Sequence, residues 1–153
     1  MTYLEALPAL VVGREHVFQL ALDGKARKIT IINLVVMGIT FGLSDFFGAV
    51  RLNPEVASFE GIYTIIAPLL FCVVGIITMI TALAGLCLIY WAAARAFGGP
   101  GGFVVILDLI GTASIPFWFL APILNYQLKF RQSESVSMAA LIPMVILFLW
   151  SFK

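Results

Sequence analysis

The stretch GIYTIIAPLLFCVVGIITMITALAGLCLIYWAAA, residues 61–94, runs for thirty-four residues without a charge. At about 1.5 Å of rise per residue a helix of that length reaches roughly 51 Å, against a bilayer hydrocarbon core of about 30 Å. Two spans would need about forty residues and a polar turn between them, and the stretch offers neither. It is therefore read as one long, tilted or kinked transmembrane helix over about 66–94, with the residues before it near the interface. Tyr90 and Trp91 suit an aromatic belt at its end.

The flanking chain repeats the pattern. Upstream, Ile29 to Ser44 is uncharged and Asp45 follows, which gives a first span over about 29–50. Asn53-Pro54 marks a turn in the polar loop between these two spans. Downstream, Gly98-Gly99-Pro100-Gly101-Gly102 is a helix breaker. A third span is expected over 103–125, with Asp108 early and Pro116 and Pro122 later. A polar loop carrying Lys129, Arg131 and Glu134 leads to a fourth span over 136–152, near the minimum length, with Pro143 inside it.

Before the first span, Val17, Phe18, Leu20, Ala21 and Leu22 fall on one side of a helix, and Glu15, His16, Gln19 and Asp23 on the other. This segment reads as an amphipathic helix on the membrane surface that Gly24 can end. Leu4, Leu7, Leu10, Val11 and Val12 form an apolar string with no basic leader and no small-residue cleavage pattern, so a signal peptide is not expected. The domain reading is an amphipathic cytoplasmic or interfacial segment over 1–28 and one transmembrane domain over 29–152. The fold class is all-α, a polytopic integral membrane helix bundle of about four transmembrane helices.

Composition agrees. Of 153 residues 62% are hydrophobic and 11% charged, far from the roughly 45–50% and 25% of soluble domains. A net charge of +1 gives no basic footprint for nucleic acid. With four spans, Arg14, Lys25, Arg27, Lys28, Arg95 and Lys153 share one side, and Arg51, Lys129 and Arg131 the other. The bias places both termini in the cytoplasm, and a bacterial inner membrane is the expected location. Cys72 and Cys87 lie about 22 Å apart along one helix, too far for a disulfide, and read as apolar filler.

Ionisable residues inside spans are costly there and are functional candidates by default. Asp45 sits near the outer end of the first span and reads as interfacial. Asp108 lies deeper, and Arg95 across the glycine-rich turn is its expected partner. Such a pair would staple the second and third spans, which is the structural reading to weigh against a role in proton or ion movement. His16 lies on a polar face and is read as solvated. No Ser-His-Asp set or metal-ligand spacing can be assembled, and the glycine-rich turn lacks the strand, Lys and Ser/Thr of a phosphate loop. No enzyme activity, metal or cofactor is expected. Gly38 and Gly42 form a GxxxG face, and Thr78/Ala82 and Thr81/Gly85 form small-xxx-small pairs. These let helix backbones approach closely, within the chain or between two copies.

The order of these features resembles the Yip family of Ypt/Rab-interacting membrane proteins, in particular its small bacterial members. The matching residues are the turn Gly98, Gly99, Gly101, Gly102 and Phe103, followed by Ala113, Ser114 and Pro116 in the next span. The leader Gly13 to Leu22 is similar to the family's leader, with Phe18 at its Phe position and Gly13 where a Pro is usual. The family commonly has five spans, against four here. The resemblance transfers no catalytic residue, and the expectation of a non-enzymatic membrane protein rests on the lack of an assembled reactive set together with the small-residue helix faces. The expected function is helix packing and association with membrane lipids, other membrane proteins or a second copy. A small transporter or permeation subunit using Asp108 and the proline-broken helices is the alternative.

Overall fold

The computed structural model describes residues 3–12, 14–57, 61–99 and 101–130, with 142, 143, 145, 146 and 149 beyond them, and the backbone alone at Leu4, Val56 and Ala57. Every regular element among the described residues is helical: α1 (Tyr3–Val12), α2 (Glu15–Leu22), α3 (Arg27–Leu52), a 3-10 turn (Pro54–Ala57), α4 (Tyr63–Ala96), α5 (Phe103–Thr112) and α6 (Phe117–Phe130).

The helix ends follow from local chemistry. α2 and α4 close in the same way. After α2 the Gly24 N–H donates to the Ala21 carbonyl (3.1 Å) and the Lys25 N–H to that of Leu20 (2.8 Å). After α4, Gly98 donates to Arg95 (3.0 Å) and Gly99 to Ala94 (2.8 Å). This paired capping requires a left-handed residue, and Gly24 and Gly98 supply it with φ of +72° and +78°.

α3 and α4 are each long and apolar enough to cross a membrane. α5 and α6 pass that test only together, as a pair interrupted over 113–116 that is either a broken span or a re-entrant loop, so the described residues hold two candidate spans, or three if the pair is one span. Within the third expected span, 103–125, the helix is interrupted at Pro116, one of the two prolines expected to break it. Pro116 has no N–H to give the Thr112 carbonyl, and it disfavours helical backbone at Ile115. α6 also runs on to Phe130, into the stretch expected to be a loop. The fourth expected span, 136–152, lies mostly outside the described residues.

Exposed apolar residues surround α4. Ile65, Leu69, Leu70, Val73, Val74, Ile77, Leu88 and Ile89 all lie open. Contiguous apolar surface on that scale is foreign to soluble monomers and suits a hydrocarbon solvent.

The chain divides into two compact units. The first comprises Met1–Val35 and Ile80–Ile115. Here α2 packs on α5 and α1 on α2. Ala6, Ala9, Leu10, Val17, Ala21, Ala26, Leu83 and Cys87 fill its apolar core. The expected surface helix is therefore partly a packing helix, because protein rather than lipid covers Val17 and Ala21.

The second unit comprises Val36–Met79 and Pro116–Lys153. Within it α3 and α4 cross at glycines. A methyl group added at Gly42 would meet the Phe71 carbonyl oxygen and the Cys72 Cα (2.7 Å), and one at Gly75 would meet Gly38 and the Gly42 nitrogen (2.6 Å). The Gly38/Gly42 face thus lies against α4 of the same chain. Gly75, rather than the Thr78/Ala82 or Thr81/Gly85 pairs, is the small residue opposite it.

Candidate functional site

Arg27, Thr30 and Asn33 are spaced three apart on α3, and that spacing puts them on one helical face. In the first unit this face meets α5. Asp108 is fully buried, and Arg27 holds both of its carboxylate oxygens: Nε donates to Oδ1 at 2.8 Å and Nη2 to Oδ2 at 3.1 Å. The bidentate geometry suits a planar guanidinium and gives a strong, directional pair. The Arg27 side chain remains 45% exposed, so one partner is shielded and the other keeps access to the surroundings.

One turn further along α3, the Thr30 hydroxyl donates to the Asp108 carbonyl at 3.4 Å. A Cβ at Gly111 would collide with the Thr30 side chain, so a glycine there is what lets α5 come this close. Asn33 follows, fully buried. Its Nδ2 donates to the carbonyls of Gly111 (2.9 Å) and Thr112 (3.4 Å). These are carbonyls of the last turn of α5, which lose their i+4 donors where the helix is interrupted, and the Gly111 carbonyl keeps only an i+3 bond from the Ser114 N–H at 3.4 Å. The Ser114 hydroxyl also donates to the Gly111 carbonyl, at 2.7 Å. The Asn33 Oδ1 in turn accepts from the Tyr3 hydroxyl of α1 at 2.6 Å. Burial raises the Tyr3 pKa above its ordinary value, which keeps the phenol protonated and able to donate.

One group in this cluster is left over. Thr112 is 1% exposed, and its hydroxyl has no hydrogen-bond partner among the described residues. In an apolar surrounding such a group costs free energy.

The expected Arg95–Asp108 pair is not what forms. Arg95 lies exposed on the last turn of α4, and the buried carboxylate takes Arg27, eighty-one residues away in sequence. Asp108 faces the polar side of α3 rather than back across the glycine-rich turn. In that turn Gly98 ends α4, Gly99 lies against the Ala94 carbonyl, Gly102 is the N-cap of α5, and Gly101 has open space around it. Ser114 and Pro116 are both buried at the break between α5 and α6.

Asp45 anchors a second cluster, within the second unit. Its Oδ1 accepts from Asn125 Nδ2 at 2.8 Å and from Lys129 Nζ at 2.9 Å, and the Lys129 side chain is 57% exposed. The Ser44 hydroxyl donates to the Pro122 carbonyl at 2.8 Å, and Arg51 donates to the Tyr126 hydroxyl at 3.1 Å. Ser44, Pro122, Ile123, Tyr126, Gln127 and Pro143 line a cavity of about 380 Å³ here.

Among the described residues no three of His, Cys, Asp and Glu come together as a metal site. Cys72 and Cys87 are free thiols.

Sequence reasoning missed Tyr3, Arg27, Thr30, Asn33 and Thr112 as a group. The signal that points to Arg27, Thr30 and Asn33 is the polar residue at every third position in the first two turns of an otherwise apolar helix, and no such local signal marks Tyr3 or Thr112. No family model, curated protein or solved structure matches this chain.

Proposed function

We propose that this protein is a four-span integral membrane protein of the Yip-like type, with both termini on the cytoplasmic side of a bacterial inner membrane. It acts by association with lipids and other membrane proteins, without catalysis. The observation that carries the reading is how the buried polar groups are used. Asp108, Asn33, Thr30 and Ser114 are all engaged in holding α5 to α3 or in closing the broken end of α5. That is a scaffold's use of polar residues rather than a reactive centre's, since a general base or nucleophile needs a free group aimed at a substrate. The open apolar surface of α4 supplies the area through which lipid or a partner helix is contacted. Gly38 and Gly42 serve packing inside the chain in this reading, so association uses other faces.

The reading is tested by crosslinking in native membranes followed by blue-native electrophoresis. A complex larger than the monomer supports it, and a bare monomer without protein or lipid partner removes its main support.

A second reading, a small transporter or permeation subunit, draws on the Thr112 hydroxyl, which has no partner among the described residues, beside the helix break at Pro116, since such breaks line sites in transporters. Solute or ion flux in proteoliposomes, with Asp108→Asn as the comparison, tests it. Flux that the substitution leaves unchanged counts against it.

A further inference from the structure

We propose that the start of α3 is a binding site for an anionic glycerophospholipid, with Lys25 and Lys28 on the headgroup and Ile31 and Val35 along an acyl chain. The proposal deepens the association reading by naming the lipid class, and it rests on α3 lying in a membrane.

Lys28, Ile31 and Val35 are spaced i, i+3, i+7 and so form one stripe on α3, within about 60° of arc. All three are exposed, Ile31 at 52% and Val35 at 37%. The stripe lies opposite the face that carries the buried Ala26, Thr30, Asn33 and Met37. A basic group therefore stands at the head of an open aliphatic track that descends roughly 10 Å along the helix. A phospholipid has the same order, an anionic phosphate above a hydrocarbon chain.

Charge complementarity selects an anionic lipid over a zwitterionic one. Three cations, Lys25, Arg27 and Lys28, stand within four residues. Asp108 neutralises Arg27 through both oxygens, so that residue contributes donors more than net charge. The guanidinium spends Nε and Nη2 on the carboxylate, and its position is fixed by doing so. Lys25 meets Asp23 at 3.5 Å with both side chains mostly exposed, a contact too weak to hold it from a phosphate. Lys25 and Lys28 thus remain as positive charges at the level where a spanning α3 meets the headgroups. Each such charge is worth about 1 kcal/mol toward an anionic surface, or about fivefold in affinity. Leu22, 58% exposed just ahead of Lys25, adds apolar surface beside the same headgroup position.

The test uses the full chain purified in a neutral detergent, with bound lipid counted by native mass spectrometry and stability followed by thermal unfolding. Phosphatidylglycerol is expected to bind and stabilise more than phosphatidylcholine. The K25Q/K28Q double variant is expected to bind phosphatidylglycerol roughly 25-fold more weakly, two charges at about fivefold each, while phosphatidylcholine binding is unchanged. Its unfolding in phosphatidylcholine reports that it folds. Inorganic phosphate is expected to have no effect, because it cannot use the Ile31–Val35 track. Equal binding of the two lipids, an unaltered preference in K25Q/K28Q, or stabilisation by phosphate alone would each overturn the proposal. Carbonate extraction of native membranes separates the two levels. A chain released by carbonate sinks the membrane reading itself, whereas a retained chain that binds both lipids alike sinks only this site.

Discussion

Arg27 and Asp108, eighty-one residues apart in sequence, form a bidentate ion pair at 2.8 and 3.1 Å, with the carboxylate fully buried and the guanidinium 45% exposed. This asymmetry makes the two ends of the pair unequal. Arg27→Gln strands a carboxylate in a protein interior, and stranding a buried charge costs about 3–5 kcal/mol. Asp108→Asn leaves a guanidinium that can turn to its surroundings. Arg27→Gln is therefore expected to lower the thermal unfolding temperature more than Asp108→Asn does. The double variant should recover part of the loss. Equal losses in the two single variants, with no recovery in the double, would show that the pair does not carry the α3–α5 contact.

The glycine crossing in the second unit gives a prediction with an internal control. Gly42→Ala places a methyl against the Phe71 carbonyl and Cys72 Cα, backbone atoms that cannot turn aside. Overpacking of this kind costs about 1–3 kcal/mol. Gly85 sits in α4 with nothing within 4 Å of an added Cβ, so Gly85→Ala is expected to leave stability unchanged or slightly raised. Unfolding of the two variants in the same detergent compares them directly.

Tyr3 ties α1 to α3, and the tie is sensitive to alkali. The Tyr3 hydroxyl donates to Asn33, and burial raises its pKa above 10.0. A raised folded-state pKa means the folded chain holds the proton more tightly than the unfolded chain. The stabilisation is complete below about pH 10, the unfolded value, and is lost as pH rises through the higher folded value. Hydrogen exchange in α1 is expected to quicken over that range in the wild type. Tyr3→Phe, which loses about 1 kcal/mol of hydrogen bonding, should exchange faster at neutral pH and show no such step.

Thr112→Val removes the hydroxyl that has no partner among the described residues and keeps the shape. It is expected to stabilise the protein by about 1 kcal/mol, because a buried polar group without a hydrogen bond is a cost. A loss of stability instead would mean that the hydroxyl has a bound partner.

How far these features can be read from sequence depends on the physics behind each. The long apolar runs make α3 and α4 plain, since hydrocarbon length and helix rise are local properties. The glycines at 24 and 98 mark helix ends for the same reason. The partner of Asp108 is a tertiary fact. Arg95 is nearer along the chain and looks well placed across the turn, but which side of α5 faces α3 is decided by packing, through Gly111 against Thr30. Pro116 and Pro122 were visible inside the third apolar run. Hydrophobicity alone does not say which of two prolines breaks a helix and which is carried within one. Pro116 breaks the run where Asn33 and Ser114 stand ready to satisfy the freed carbonyls, and Pro122 is carried inside α6 with its carbonyl bonded by Ser44.

The most direct test of association as the mode of action is in-membrane crosslinking of the full chain followed by blue-native electrophoresis and identification of what migrates with it. A discrete species larger than the monomer, containing a second membrane protein or tightly held lipid and recurring between preparations, is expected. A monomer free of both, under crosslinking that captures a known membrane complex in the same sample, would contradict it.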